Sequence, residues 1–409
     1  MTSPREDRWL LPEGVEELLP EQAEHLERLG RRLVDLFRSW GYRLVVPPLI
    51  EYLESLLVGT GRDLELQTFK LTDQMSGRLL GVRADMTPQV ARIDAHRLQG
   101  RGPRRLCYLG PVLRTRPEGL AQSRCPVQVG AELYGHAGLE SDVEVLHLML
   151  EALAAVGLER VHLDLGHVGV YRTLAREAGL DAEAEEELFA ALQRKARAEI
   201  EGLLGGAGPG SAGERAARQR LVRLAELHGG EEVLDEARRA LAGAGEAVHR
   251  ALDELEGIAQ RLRRRLPGVH LHYDLAELRG YHYQTGVVFA ALVPGHGSEV
   301  ARGGRYDAIG RAFGAARPAT GFSADLLTLI HLSPEEPLPP RGILAPAEED
   351  PALHRKVAAL RAAGERVCYE LPGQEGGPAE LGCDRVLRRG PAGWEVVPAG
   401  EQAKGEGHG

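Results

Sequence analysis

Pro126-Val-Gln-Val-Gly-Ala-Glu-Leu-Tyr134 is the stretch on which the reading of the fold turns. Gln128, Gly130 and Glu132 alternate with Val127, Val129, Ala131 and Leu133, so on a strand the amide and the carboxylate share one face and the aliphatic side chains the other. A strand of this kind either turns its polar face to water, the commoner outcome for antiparallel strands, or lines the floor of a pocket. A second strand-like run, residues 105–114, precedes it. The intervening residues 115–125 are polar with Pro and Gly, which predicts a long hairpin loop of a length that in compact domains is often functional.

Outward from this hairpin the texture is mixed. Over residues 20–40, Ala23, Leu26, Leu29, Leu33, Leu36, Phe37 and Trp40 recur at helical spacing, Gly41 ends the helix, and residues 42–46 read as a strand stopping at Pro47-Pro48. Downstream, a helix is expected over 139–156 and a strand over 161–165. Residues 169–266 are rich in Ala, Glu, Leu and Arg and broken by the Gly-rich stretch 202–213, the pattern of an inserted helical subdomain. Strand and helix patterns resume over 269–292 and 299–329. The organisation expected is therefore a core over 1–331, a Pro-rich linker at 332–342, a small α/β unit at 343–397 and a flexible tail at 398–409.

Composition narrows the function. With 409 residues, 43% hydrophobic and 27% charged, the chain can bury more than one core and does not have the make-up of a disordered polymer. A formal net charge of -10 opposes broad attraction to nucleic-acid phosphates or anionic lipid, and the run Arg261 to Arg265 reads as a solvated helix face. Cys107, Cys125, Cys368 and Cys383 are far apart in sequence and form no Cys-x-x-Cys pair, so neither a zinc site nor a disulfide framework is indicated, and no metal and no cofactor are expected. Met1 is followed by a polar segment, and no run of roughly 18 apolar residues occurs. The expectation is a cytoplasmic chain with no membrane partner.

Four segments set polar groups inside otherwise apolar settings, where an unpaired group is costly. They are Arg83-Ala-Asp-Met-Thr-Pro88, Gln128-Val-Gly-Ala-Glu132, Glu277-Leu-Arg-Gly-Tyr-His-Tyr-Gln-Thr-Gly286 and Ala301-Arg-Gly-Gly-Arg-Tyr-Asp307. Their glycines admit close backbone approach, while Arg279, Tyr281, His282, Tyr283 and Arg305 offer donors, acceptors and aromatic walls. The set suits a small zwitterion with a heteroaromatic side chain: guanidinium for its carboxylate, Asp85, Gln128 and Glu132 for its ammonium, and tyrosines for its ring.

Taken in order and spacing, these segments resemble the catalytic core of histidyl-tRNA synthetases over roughly residues 10 to 330. The matching parts are the helix, strand and proline ending at Pro47, the hairpin from Arg114 to Glu132, and two segments particular to the histidine enzymes, Leu278-Arg-Gly-Tyr-His-Tyr283 and Arg302-Gly-Gly-Arg-Tyr-Asp307. The resemblance implies an α+β class II synthetase-like fold, a six-stranded antiparallel sheet flanked by helices. It also implies that Asp85 and Thr87, with Gln128 and Glu132, hold the amino group of histidine. Arg279 falls where the family places its activating arginine and Tyr283 where a tyrosine meets the imidazole. Tyr281 and the retained hairpin arginine, Arg114, join the expected ligand set, and Gln284 stands where the family has a second tyrosine.

The departures point away from catalysis. Arg116 replaces an acidic residue in the hairpin, and Ala319-Thr-Gly-Phe-Ser-Ala-Asp-Leu-Leu-Thr328 puts Leu327 and Thr328 where a synthetase has Glu and Arg. Losing one preorganised cationic contact to the nucleotide costs about 3 to 4 kcal/mol of transition-state stabilisation. The short C-terminal unit also leaves no room for a complete anticodon-binding domain, so no tRNA partner is expected. The combination is similar to the synthetase paralogues that serve as regulatory subunits of ATP phosphoribosyltransferase. That resemblance implies a noncatalytic chain that dimerises through the strand-and-proline face, joins a short catalytic subunit in a hetero-octamer, and carries histidine as effector. An active histidyl-tRNA synthetase and a synthetase-like amino-acid-binding module are the alternative readings.

Overall fold

The computed structural model describes residues 9–58, 62–98, 100, 102–117, 123–206, 210–278, 280–281, 283–314, 316–337 and 341–400. The periodic N-terminal segment forms the helix Pro20–Ser39, with Leu29, Leu33 and Phe37 fully buried. Burying each such side chain contributes about 1.5–3 kcal/mol. After it the chain forms β1 (Arg43–Leu44), then β2 (Ile50–Tyr52), β3 (Lys70–Thr72) and β4 (Leu79–Val82), the last three making a small antiparallel sheet in the order β2-β4-β3.

The hairpin arms are β5 (Arg104–Pro111) and β6 (Val127–Tyr134). They are followed by β7 (His162–His167), β8 (His228–Gly229), β9 (His270–Asp274), β10 (Val287–Leu292), β11 (Ala301–Arg305) and β12 (Ala319–Asp325). The main sheet runs β1-β5-β6-β12-β11-β10-β7-β9-β8. From β5 to β7 every neighbouring pair is antiparallel, which gives the expected six-stranded antiparallel core. Short β1 and β9 are added in parallel at its two sides.

The alternation noted at residues 127–134 decides which face does what. Val129, Ala131 and Leu133 point into the main apolar core, together with Cys107, Phe322 and the helices Pro20–Ser39, Leu139–Ala155 and Glu246–Arg265. On the opposite face, Gln128 and Glu132 are 5% and 1% exposed, so the polar side of the strand is covered and does not meet solvent.

Between β7 and β9 run the helices Val168–Glu177, Ala182–Gln193, Arg197–Gly206, Ala212–Leu224, Glu232–Ala240 and Glu246–Arg265. A complete capping box at Ser211 and Glu214 starts the fourth of these. The chain divides into two compact units, Met1–Glu17 with Leu26–Glu335, and Leu18–His25 with Glu336–Gly409. The second contains β13 (Ile343–Ala345), β14 (Val367–Tyr369), β15 (Arg385–Gly390) and β16 (Gly393–Pro398), ordered β14-β13-β15-β16 around a core of Leu353, Val357, Leu387 and Trp394. Asp350 starts its helix Pro351–Ala362 by accepting from Ala352 N (2.8 Å) and from Trp394 Nε1 (2.8 Å). Cys368 and Cys383, distant in sequence, come together there as free thiols with Sγ atoms 3.3 Å apart. Among the described residues no helix is long and apolar enough to cross a membrane, and no group of three or more His, Cys, Asp or Glu side chains is placed to hold a metal ion.

Candidate functional site

Cross-strand register builds the site. Glu132 on β6 lies opposite Gly321 on β12, which lies opposite Gly304 on β11, which in turn faces Val288 on β10. Directly opposed residues share a face, and Glu132, Gly321 and Val288 of this row line a cavity of about 580 Å³. The two glycines keep the floor low. A Cβ on Gly321 would overlap the Glu132 carboxylate, and one on Gly304 would come within 2.6 Å of Gln284 Oε1.

Glu132 is the most constrained group here. It accepts hydrogen bonds from Thr87 Oγ1 (3.0 Å), from the hydroxyl of Tyr108 (3.1 Å) and from the hydroxyl of Tyr306. Burial pushes its carboxyl up to about 8, against the opposing effect of these donors and with Asp85 adding to the rise. Tyr108 and Tyr306 are themselves held well above the ordinary tyrosine range, first by burial and next by the adjacent Glu132, and so remain donors.

The segment 83–88 is tied to the same floor. Arg83 reaches the carbonyls of Pro47 (2.7 Å) and Pro111 (2.8 Å), fixing the chain before Asp85. Asp85 Oδ1 then accepts from Thr87 N (3.0 Å) and from Gln128 Nε2 (2.8 Å), while Gln128 Oε1 accepts from Met86 N (2.8 Å). Gln128 thus braces the turn that carries Asp85. Pro88, in the first turn of the helix Thr87–His96, gives up a backbone donor that such a terminus leaves unpaired anyway.

Of the residues singled out from sequence, Asp85, Thr87, Arg114, Glu132 and Tyr283 line the large cavity. Gln128 and Arg114 line a small adjoining space of about 60 Å³ together with Ser323, Asp325 and Thr328. Tyr281 is not brought to the cavity: its hydroxyl bonds Glu185, and its ring packs 5.5 Å from Phe189 and 5.2 Å from Tyr171. Burial first and Glu185 next raise its phenol to about 12. Arg279 and His282 lie outside the described residues. Arg305 also departs from expectation, because strand alternation turns it to the opposite face, where it meets Asp142 Oδ2 (2.8 Å) and Ser141 Oγ (2.9 Å). Arg302, one pleat away on the cavity face, lines the site instead.

Tyr108 and Tyr306 both touch Glu132, and neither is among the site residues expected from the sequence. Tyr306 stood inside a segment already singled out, but Tyr108 carried no signal except its place on the strand opposite Gly130. Gln284 is 5% exposed and lines the cavity, and its Oε1 has no hydrogen-bond partner among the described residues. A buried acceptor of this kind calls for a donor from a ligand or an ordered water.

The neighbouring small space has a different character. Asp325 Oδ1 accepts from Val127 N and from Leu327 N (3.1 Å each), and its Oδ2 accepts from Thr328 Oγ1 (2.8 Å). The helix Leu326–Leu332 is therefore closed by its own cap, with a neutral threonine where a phosphate-binding cation would be needed for adenylation.

Residues 14–329 match the family model described as histidyl-tRNA synthetase, and residues 340–397 match the model described as ATP phosphoribosyltransferase subunit HisZ C-terminal domain. A protein of Thioalkalivibrio sulfidiphilus named ATP phosphoribosyltransferase regulatory subunit is 63% identical, covering 94% of this chain and 96% of the relative. One of the same name from Alkalilimnicola ehrlichii is 59% identical, covering 96% and 98%. A Bacillus halodurans crystal structure described as an ATP phosphoribosyltransferase regulatory subunit/histidyl-tRNA synthetase superposes with a TM-score of 0.80 at 28% identity, over 92% of this chain and 97% of that one. Histidyl-tRNA synthetase from Nostoc shares the fold, with a TM-score of 0.75 at 20% identity, over 96% and 97%. By likeness at this level along nearly its whole length, this chain belongs to the family of ATP phosphoribosyltransferase regulatory subunits.

Proposed function

We propose that the chain is the noncatalytic partner of a short-form ATP phosphoribosyltransferase catalytic subunit and carries histidine feedback to the first step of histidine biosynthesis. The observation that carries the ligand reading is the buried Glu132 carboxyl, ringed by Thr87, Tyr108 and Tyr306, in a cavity where Gln284 Oε1 also lacks a donor. Histidine brings matching groups: an ammonium for Asp85 and Glu132, and a ring N–H for an acceptor such as Gln284 Oε1. Arg114 and Arg302 line the same space as candidates for its carboxylate. In this reading Gln128 acts by holding Asp85, Tyr283 walls the ring, and Arg279 keeps the role its motif implies.

The same reading excludes aminoacyl-tRNA synthesis. Thr328 is engaged with Asp325, and no always-charged guanidinium stands at that position to stabilise the phosphates of ATP. The strand-and-proline region exposes Leu44, Val46, Leu49 and Ile50, together with Leu71 and Leu79 of the small sheet. We place the contact between two regulatory chains on this apolar face, within a hetero-octamer with catalytic subunits.

Co-purification with the short catalytic subunit, followed by its assay with and without histidine, tests the proposal. The expected result is activity that depends on this chain and falls with added histidine. Histidine-dependent pyrophosphate exchange by the chain alone would instead favour a synthetase.

A further inference from the structure

The backbone that presents Tyr283 and Gln284 to the cavity is held from the side away from it. Gly280 adopts a φ of +69°, and its carbonyl accepts from Tyr283 N (2.9 Å) and Gln284 N (2.7 Å), so the chain turns tightly there. Tyr283 and Gln284 then face the cavity, while Tyr281 faces the inserted helices. Arg172, on the helix Val168–Glu177, donates through Nη2 to the carbonyls of Tyr281 (2.9 Å) and Gln284 (3.0 Å), and its guanidinium carbon sits 4.8 Å from the centre of the Tyr281 ring. One cation bridging two carbonyls three residues apart fixes the curvature of the turn.

The grip continues into the next helix. The Tyr281 hydroxyl bonds the Glu185 carboxylate on Ala182–Gln193, and the Tyr171 hydroxyl donates to the Glu185 carbonyl (2.8 Å). Gln193, the last residue of that helix, itself lines the cavity. The insertion therefore touches the cavity by two routes, through the turn and through Gln193.

We propose that Arg172 is a positioning residue that sets the cavity-facing side chains of Tyr283 and Gln284, and that with Tyr281 and Glu185 it couples occupancy of the cavity to the helical insertion. The proposal rests on the histidine reading of the cavity. Ligand contact with Tyr283 or Gln284 shifts a turn whose outer side is bonded to two insertion helices. Coupling of this kind appears as a ratio between inhibition and binding, which a purely structural brace leaves unchanged.

The test uses the complex with the catalytic subunit, assayed across a histidine titration, beside calorimetry of histidine on the regulatory chain. Glu185→Gln is expected to leave activation without histidine intact and histidine affinity within about threefold of wild type, while the histidine concentration for half-inhibition rises at least tenfold. Arg172→Met is expected to weaken both binding and inhibition, with Arg172→Lys restoring binding in part. Half-inhibition that moves only in proportion to affinity in every variant, or stays fixed in Glu185→Gln, overturns the coupling while leaving the histidine site standing. A wild-type chain that binds no histidine overturns the site reading and this proposal with it.

Discussion

The floor around Glu132 and the cap around Asp325 lie on one sheet and face the same way, yet their electrostatic accounts differ. Asp325 is answered from within: two backbone N–H groups and the Thr328 hydroxyl satisfy it. Glu132 has three hydroxyl donors and Asp85 nearby but, among the described residues, no cation as a hydrogen-bond partner, and burial drives its carboxyl towards the protonated form. A carboxyl held this way favours a ligand that brings positive charge or strong N–H donors. A capped carboxylate favours nothing further. The proposed amino-acid site and the self-capped helix terminus thus lie apart along the β6 to β12 seam.

The contrast is broken most severely at Glu132. Glu132→Ala removes the acceptor that Thr87, Tyr108 and Tyr306 share and the acid placed to meet the ligand's N–H donors, so histidine affinity should fall by about 3 kcal/mol, on the order of a hundredfold, in calorimetry. Asp85→Ala should follow in the same direction with a smaller loss, since Asp85 is less deeply buried. Unchanged affinity in both would remove this cavity from consideration.

Gly321→Ala attacks the same point from the neighbouring strand. The added methyl would occupy the position of the Glu132 carboxylate, so the acid must move or the strands must part. A cost of about 1–3 kcal/mol is expected, visible as a lowered melting temperature and weaker binding together. A fully stable variant with native affinity would show that the floor is looser than described.

Protonation gives a finer probe. Folding holds the Glu132 proton up to about 8 instead of losing it in the ordinary carboxylate range. The stability this lends is present in full below that ordinary range and is lost as pH climbs through about 8. A ligand with N–H donors favours the ionised form, so binding releases a proton, and affinity should rise from pH 6 towards 8 by up to about tenfold per unit before levelling. Glu132→Gln should flatten the profile and gain stability relative to wild type as pH rises. A wild-type affinity independent of pH across this window would contradict the burial argument.

The smallest effect belongs to the other half of the comparison. Thr328→Ala should cost about 0.5–1.5 kcal/mol in stability by releasing one hydroxyl from Asp325, and should leave histidine affinity within about twofold. A large loss of binding would mean that the two regions are not separate.

The sheet was legible because period-two alternation survives in β6 and the run before it is apolar and bounded by a turn-rich loop, and the helices because their apolar stripes are wide. The covering of the polar face was not legible. Whether Gln128 and Glu132 meet water depends on the segment 83–88 folding over them, a long-range event with no local signature. Arg305 shows a signal that was present and overlooked: in Arg302-Gly-Gly-Arg305 alternation puts Arg302 and Gly304 on one face and Arg305 on the other. Tyr281 was misplaced for a related reason, since the turn at Gly280 separates it from Tyr283 even though two residues on a strand would share a face. Tyr108 needed the register of β5 against β6, which no single strand contains.

Titration calorimetry of the purified chain at pH 8 with histidine and a panel of other amino acids shows whether the Glu132 cavity is a histidine site. One histidine site per chain is expected, preferred over every other amino acid, with proton release that disappears in Glu132→Gln. Absence of histidine binding, or tighter binding of a different amino acid, would contradict it.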